Sequence, residues 1–194
     1  MPRPPILPTM DWKKVFSDAL DYPTWLAGAE EAERRDRMVA GHESQHLPAH
    51  IAAALANLVK PVHVIAIAED WCGDVIRHVP VLQKIADASN GKVRVGYITR
   101  DYDPALFARF LTNGGEAIPK FIFLSDQFVE TGSWGPMPNA CRELIARGKA
   151  MGDTGKARKL VGARYAADPG KAEVIAELYE RIEIAATAEL IVPE

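Results

Sequence analysis

The tightest constraint on this chain is a change of pattern near its centre. Residues 62–68, VHVIAIA, form a short apolar run rich in β-branched side chains, as expected of a strand covered on both faces. Glu69 and Asp70 end it. After Cys72, the residues Val75, Ile76, Val79, Leu82, Ile85 and Ala86 recur at helical spacing, Asn90-Gly91 marks a turn, and residues 93–99 read as a second strand. This is a βαβ unit, which makes the two strands parallel and lays a helix across one face of the sheet.

The flanking patterns extend that unit on both sides. Trp12, Val15, Phe16 and Leu20 share a helical face, a second helix is expected from Pro23 towards Met38, and residues 41–48 read as a polar break. Ile51, Leu55 and Leu58 then give a third stripe ending before Pro61. Downstream, Asp103 is an N-cap with Pro104 at the first helical position of a short helix expected to stop at Asn113-Gly114-Gly115. Residues 121–124 and 128–129 flank Ser125-Asp126-Gln127 and predict a hairpin. A helix over 139–149 and amphipathic stretches over 154–166 and 171–185 complete the pattern. With 194 residues the chain is long enough for one core, so the expectation is one compact unit: a helical extension over 1–60, a core over 61–150 and a second helical extension over 151–194.

Charge and composition exclude several function classes. The net charge of -3 arises from interspersed acids and bases, so there is no basic field for a nucleic-acid backbone. Residues 1–10 are proline-rich and lack the apolar run of an export signal, and residues 62–68 are too few to span a bilayer. No membrane partner is expected, and the default location is the cytoplasm. Cys72 and Cys141 lie far apart in the chain and do not suggest a disulfide framework, so thiol chemistry would have to come from individual cysteines.

The order strand, Cys-led helix, strand, helix, hairpin, helix resembles the thioredoxin and glutaredoxin core, and particular residues carry the likeness further. Trp71-Cys72-Gly73 resembles the start of thioredoxin's W-C-G-P-C, and Pro80 stands where thioredoxins place a proline in the same helix. Ile118-Pro119 resembles their cis-proline dipeptide, and Gly132 follows the hairpin where they carry a glycine beside the active site. Residues 134–138, WGPMP, together with W-C-G-D at 71–74, are similar to a bacterial W-C-G-D subgroup with helical extensions. The fold implied is thioredoxin-like α/β, a central mixed sheet flanked by helices.

The chemistry this resemblance implies centres on Cys72. At a helix start, free N–H groups and the positive end of the dipole favour a thiolate, the nucleophile of disulfide exchange. Ile118 and Pro119 would dock a substrate chain, with Trp71 and Trp134 as an apolar rim. No organic cofactor is implied. Val75, however, occupies the second cysteine's position, and Ala66 stands where thioredoxins bury an aspartate thought to assist that cysteine. Asp74 replaces the motif proline and opposes the dipole's effect on Cys72. The expected activity is therefore that of a monothiol thiol–disulfide oxidoreductase, acting on a protein or low-molecular-weight disulfide and released by an external thiol. The alternative is a binding module using the same groove without chemistry.

Three further residue sets have a bland reading beside a functional one. Cys141 reads as a small buried hydrophobe more readily than as a remote resolving cysteine. Lys120 reads as an exposed strand lysine, although it could neutralise a thiolate. His42-Glu43-Ser44-Gln45-His46 matches the H-E-x-x-H zinc pattern, but Gly41 and Pro48 bracket it, so a loop or broken helix is expected in place of a metal site.

Overall fold

A computed structural model of the chain describes residues 7–187; the first part of the proline-rich start and the last residues of the C-terminal stretch lie outside them. Among the described residues, four helices precede the sheet. α1 (Trp12–Asp18) is capped by Asp11, whose carboxylate accepts the Lys14 N–H at 2.9 Å, and it buries Trp12 and Val15. Leu20 does not continue its face. It leaves helical geometry and exchanges backbone hydrogen bonds of 2.9 and 2.8 Å with Tyr97, which blunts the edge of the sheet.

The helix expected from Pro23 to Met38 is two helices. α2 (Tyr22–Ala27) is capped by Asp21 and stops at Gly28, where the turn closes on carbonyls of its own last turn. α3 (Ala32–Glu43) then runs through Gly41, where the break is expected to begin, and packs there beside the Pro80 ring. It ends at Ser44, whose hydroxyl donates back to the Ala40 carbonyl at 2.7 Å. α4 (Ala49–Ala56) starts after Pro48 and buries Ile51 and Leu55.

The βαβ unit forms as the pattern predicts. β1 (Val62–Ile67) runs parallel to β2 (Val93–Ile98), with Val62 opposite Val93 and Ile67 opposite Ile98, and α5 (Gly73–Asp87) joins them. Asp103 caps α6 (Pro104–Phe107), which is shorter than expected because a single 3₁₀ turn takes over before a tight Thr112–Gly115 bridge. β3 (Lys120–Leu124) pairs antiparallel with β1, and β4 (Glu130–Trp134) antiparallel with β3, giving the order β2-β1-β3-β4. The hairpin is present, but its second strand begins at Glu130. Phe128 and Val129 are spent in the turn, where Ser125 Oγ accepts the N–H groups of Gln127 and Val129.

α7 (Asn139–Ala150), α8 (Thr154–Ala167) and α9 (Ala172–Thr187) complete the described chain. The helix that covers the sheet after the hairpin is α9: Val174, Ile175, Leu178, Ile182 and Ala185 all enter the core. α7 packs chiefly on α8 through Gly148, where an added Cβ would lie 2.4 Å from Ala157 Cβ. The described part of the second helical extension thus adds to the core, with each buried Val, Ile or Leu contributing about 1.5–3 kcal/mol.

Strand alternation sorts the layers. His63 and Ala66 point to opposite faces of β1. On the first face Phe16 of α1 meets His63 at 4.8 Å between ring centroids; on the second, Phe121 pairs with Ala66 and stacks on Trp134 at 5.3 Å. Trp134 in turn reaches His78 of α5 and Glu177 of α9, so α5 and α9 share that face. No helix among the described residues is long and apolar enough to cross a membrane.

Candidate functional site

Cys72 sits between the end of β1 and the start of α5, as the residue capping that helix. Its N–H donates to the Glu69 carbonyl at 3.2 Å, and its own carbonyl accepts the Ile76 N–H, the first bond of the helix. The sulfur is half-buried and its S–H donates to the Ile118 carbonyl at 3.4 Å. The Ile118–Pro119 peptide bond is cis, as is Gly135–Pro136. These two loops touch backbone to backbone: Gly135 has φ +114°, and a Cβ there would lie 2.1 Å from the Pro119 carbonyl oxygen, so only glycine fits.

Lys120 reinforces the same junction from beneath. It is buried, contrary to the exposed strand lysine expected, because Nζ donates to Thr112 Oγ1 and to the Gly135 carbonyl, both at 2.8 Å. Burial pushes its ammonium down to about 8, helped by the nearby charge of Arg142.

The balance of forces on the Cys72 thiol is now legible. Burial pushes its pKa up, the N–H groups of Val75 and Asp74 pull it down, the Asp74 charge raises it, and Arg100 lowers it. Burial wins. Asp74 itself is held protonated to a higher pH by burial, while the Tyr165 hydroxyl, donating to Oδ1 at 3.1 Å, works the other way. That hydroxyl also lies 3.2 Å from His78 Nε2, and burial keeps His78 neutral, with its pKa lowered to about 3. Val75 and Ala66 are fully buried, so no polar side chain from either position faces the sulfur from the interior.

The predicted site residues divide into those that gather at Cys72 and those that do not. Gly73 opens α5 in free space, and Trp71 is 47% exposed, its indole N–H on Glu69 and the Arg100 guanidinium 4.9 Å above its ring. Trp134 is no rim residue: it is buried and donates to Glu177 Oε2 at 2.6 Å. Gly132 lies opposite Phe123 on β4 and faces Arg181. The glycine beside the cis-proline is Gly135, signalled in the sequence only by its Gly-Pro pair. Cys141 is fully buried on α7, its thiol pushed up to about 11 by burial.

A cavity of about 270 Å³ opens beside the sulfur, with Trp71, Cys72, Ile118, Met137, Arg142 and Ile145 among its walls. Arg142 and Tyr165 carried no sequence signal, being placed by α7 and α8 from far along the chain. The histidine segment is a broken helix end, as expected from Pro48. His42 pairs with Asp87 at 2.7 Å, whereas His46 lies beyond the helix with Nδ1 2.8 Å from the Ser44 carbonyl. Among the described residues no group of three or more His, Cys, Asp or Glu side chains is placed to hold a metal ion.

A mixed sheet of this order, flanked by helices and carrying a cysteine where β1 meets α5, defines a thioredoxin-like α/β protein. A family model described as thioredoxin matches residues 21–152, and the chain belongs to that family. Two solved structures are similar in fold. The crystal structure of a protein of unknown function from Pseudomonas aeruginosa is 16% identical, with a TM-score of 0.67 over 90% of this chain and 98% of that one. The crystal structure of an HIV epitope-scaffold is 15% identical, with the same TM-score and the same coverage. No curated protein matches the chain.

Proposed function

We propose that the protein is a monothiol thiol–disulfide oxidoreductase of the bacterial W-C-G-D type, working in the cytoplasm. The observation that carries this reading is the place of Cys72 Sγ: at the start of α5, 3.4 Å from the Ile118 carbonyl and open to a cavity. The Cys72 thiolate attacks one sulfur of a protein or low-molecular-weight disulfide. A Cys72–substrate disulfide forms, and the other half leaves as a thiolate that takes a proton from solvent. Val75 offers no second sulfur, so an external thiol must attack the mixed disulfide and restore Cys72. Ile118 and Pro119 present the backbone edge for a bound chain, with Trp71 over it. Neither nucleic acid nor membrane takes part.

The test compares two variants in a disulfide-exchange assay. Cys72→Ser is expected to abolish turnover and Cys141→Ser to leave it near the wild-type level, because only Cys72 reaches the cavity. Equal losses in both would sink the proposal. A second reading, a binding module with an idle thiol, draws on the upward push that burial gives the Cys72 pKa. Following alkylation and disulfide exchange at Cys72 side by side across pH separates the two, since an idle thiol alkylates once ionised but turns over no disulfide.

A further inference from the structure

The cavity beside Cys72 contains an imbalance that the thiol reading does not use. Its two carboxylates are both engaged: Asp74 accepts from Tyr165, and Glu116 lies 4.0 Å from the Arg100 guanidinium. Its two cations, Arg142 and Lys149, come from α7. Arg142 Nε is buried without a hydrogen-bond partner, and its guanidinium forms no ion pair or hydrogen bond among the described residues. Arg142 as a whole is only partly buried, so the rest of its unpaired guanidinium is open to the cavity it lines, where it can take an acceptor brought in from outside.

We propose that this cavity binds a small disulfide bearing a carboxylate, with the carboxylate on Arg142 and a sulfur against Cys72 Sγ. The inference rests on the oxidoreductase reading and names its substrate class. A planar guanidinium matches a carboxylate with two parallel N–H bonds, and desolvation at a half-enclosed site strengthens them. The apolar walls, Ile118, Met137 and Ile145, suit the methylene groups between carboxylate and sulfur. At about 270 Å³ the space lies at the low end for ligand sites and suits a small molecule better than a folded partner. The electrons balance. Cys72 Sγ bonds to one sulfur as the substrate S–S bond breaks, and the departing thiolate is protonated by solvent. A second small thiol then gives up its proton and attacks the mixed disulfide, leaving Cys72 reduced and a new disulfide formed.

The experiment separates binding from reaction. Dithiodipropionate, a dicarboxylate, and bis-hydroxyethyl disulfide, its neutral counterpart, are titrated calorimetrically into Cys72→Ser, which cannot react. The dicarboxylate is expected to bind at least about tenfold more tightly, with that preference lost in Cys72→Ser/Arg142→Gln and partly kept when Arg142→Lys replaces it. Equal affinity for the two probes, or a preference that survives Arg142→Gln in a variant with an unchanged circular dichroism spectrum, overturns the assignment. Wild-type protein that binds the dicarboxylate selectively but exchanges with neither probe would refute the oxidoreductase reading while upholding the pocket.

Discussion

Tyr165 is the point at which the C-terminal helices grip the motif helix, and Tyr165→Phe isolates that grip. The hydroxyl donates to Asp74 Oδ1 at 3.1 Å and lies 3.2 Å from Nε2 of the fully buried His78, whose Nδ1 has no partner. Removing it leaves the ring in place, with Arg77 still 4.1 Å from the ring centroid, so little apolar contact is lost. A hydrogen bond to a charged group contributes about 1.5–3 kcal/mol, and stranding a buried imidazole nitrogen costs about 1–3 kcal/mol. Because one oxygen serves both, the expected loss is about 2–4 kcal/mol in urea unfolding at neutral pH, with an unchanged denaturant slope. The loss should shrink in acid. Burial raises the Asp74 pKa above its ordinary value, so the protonated form is favoured in the folded state, and its contribution is present below the unfolded value and lost as pH rises through the folded one. The hydroxyl matters most once Asp74 is ionised. A loss under about 0.5 kcal/mol, or one equal at pH 4 and pH 7, would refute the clamp.

Four other substitutions test the same account. Val75→Cys should form a disulfide with Cys72 under mild oxidation and add dithiol reductase activity, at a packing cost of about 1 kcal/mol because Val75 is fully buried; a folded variant that forms no disulfide would show the motif misplaced. Adding Ala66→Asp should raise that activity further, while costing about a few kcal/mol for a buried carboxylate. Gly135→Ala should lower stability by about 3 kcal/mol or more, read as a drop in Tm, since its Cβ collides with the Pro119 carbonyl; an unchanged Tm would mean the two loops are not locked together. Between about 8 and 10.5 the unfolded chain holds a proton that buried Lys120 has released, so this residue makes stability rise with pH across that window, by about 3 kcal/mol in total. Lys120→Met should lose that rise, and a wild-type minus variant difference that is flat from pH 8 to pH 10 counts against it.

What the sequence revealed of this molecule followed the range over which each signal acts. The βαβ unit was legible because a strand buried on both faces and an amphipathic helix write themselves into consecutive residues, as Val62 to Ile67 and Val75 to Ala86 do. Cys72 was legible for the same reason, as a helix-capping residue next to a strand. Failures came where tertiary contact decides. Leu20 has an apolar side chain at helical spacing, yet its backbone pairs with Tyr97; Gly41 looks like a breaker, yet it lies within a helix packed beside the Pro80 ring. Lys120 reads as a surface residue until Thr112 and Gly135 supply buried acceptors. Trp134 and α9 were misjudged together, since only folding shows that Glu177 takes the indole N–H and that α9 covers the sheet.

The site that results is one-sided, and this bears on how a lone thiol would work here. From the interior, Val75 and Ala66 present only methyl groups to the start of α5, so no side chain at either position can take the Cys72 proton or supply a second sulfur. Of the charged groups near the thiol, Asp74 and Arg142 line the cavity, and Arg100 acts on the sulfur through its charge. A thiol whose pKa is pushed up has little thiolate at neutral pH, but what forms is strongly nucleophilic. It is also a poor leaving group. On the oxidoreductase reading, an external thiol that attacks the substrate sulfur of the mixed disulfide therefore expels Cys72 more slowly than it would a low-pKa cysteine, and the mixed disulfide persists until such a thiol arrives through the cavity. An exchange rate that climbs with pH past neutrality, together with a mixed disulfide that accumulates when the external thiol is limiting, is the kinetic pattern this geometry requires.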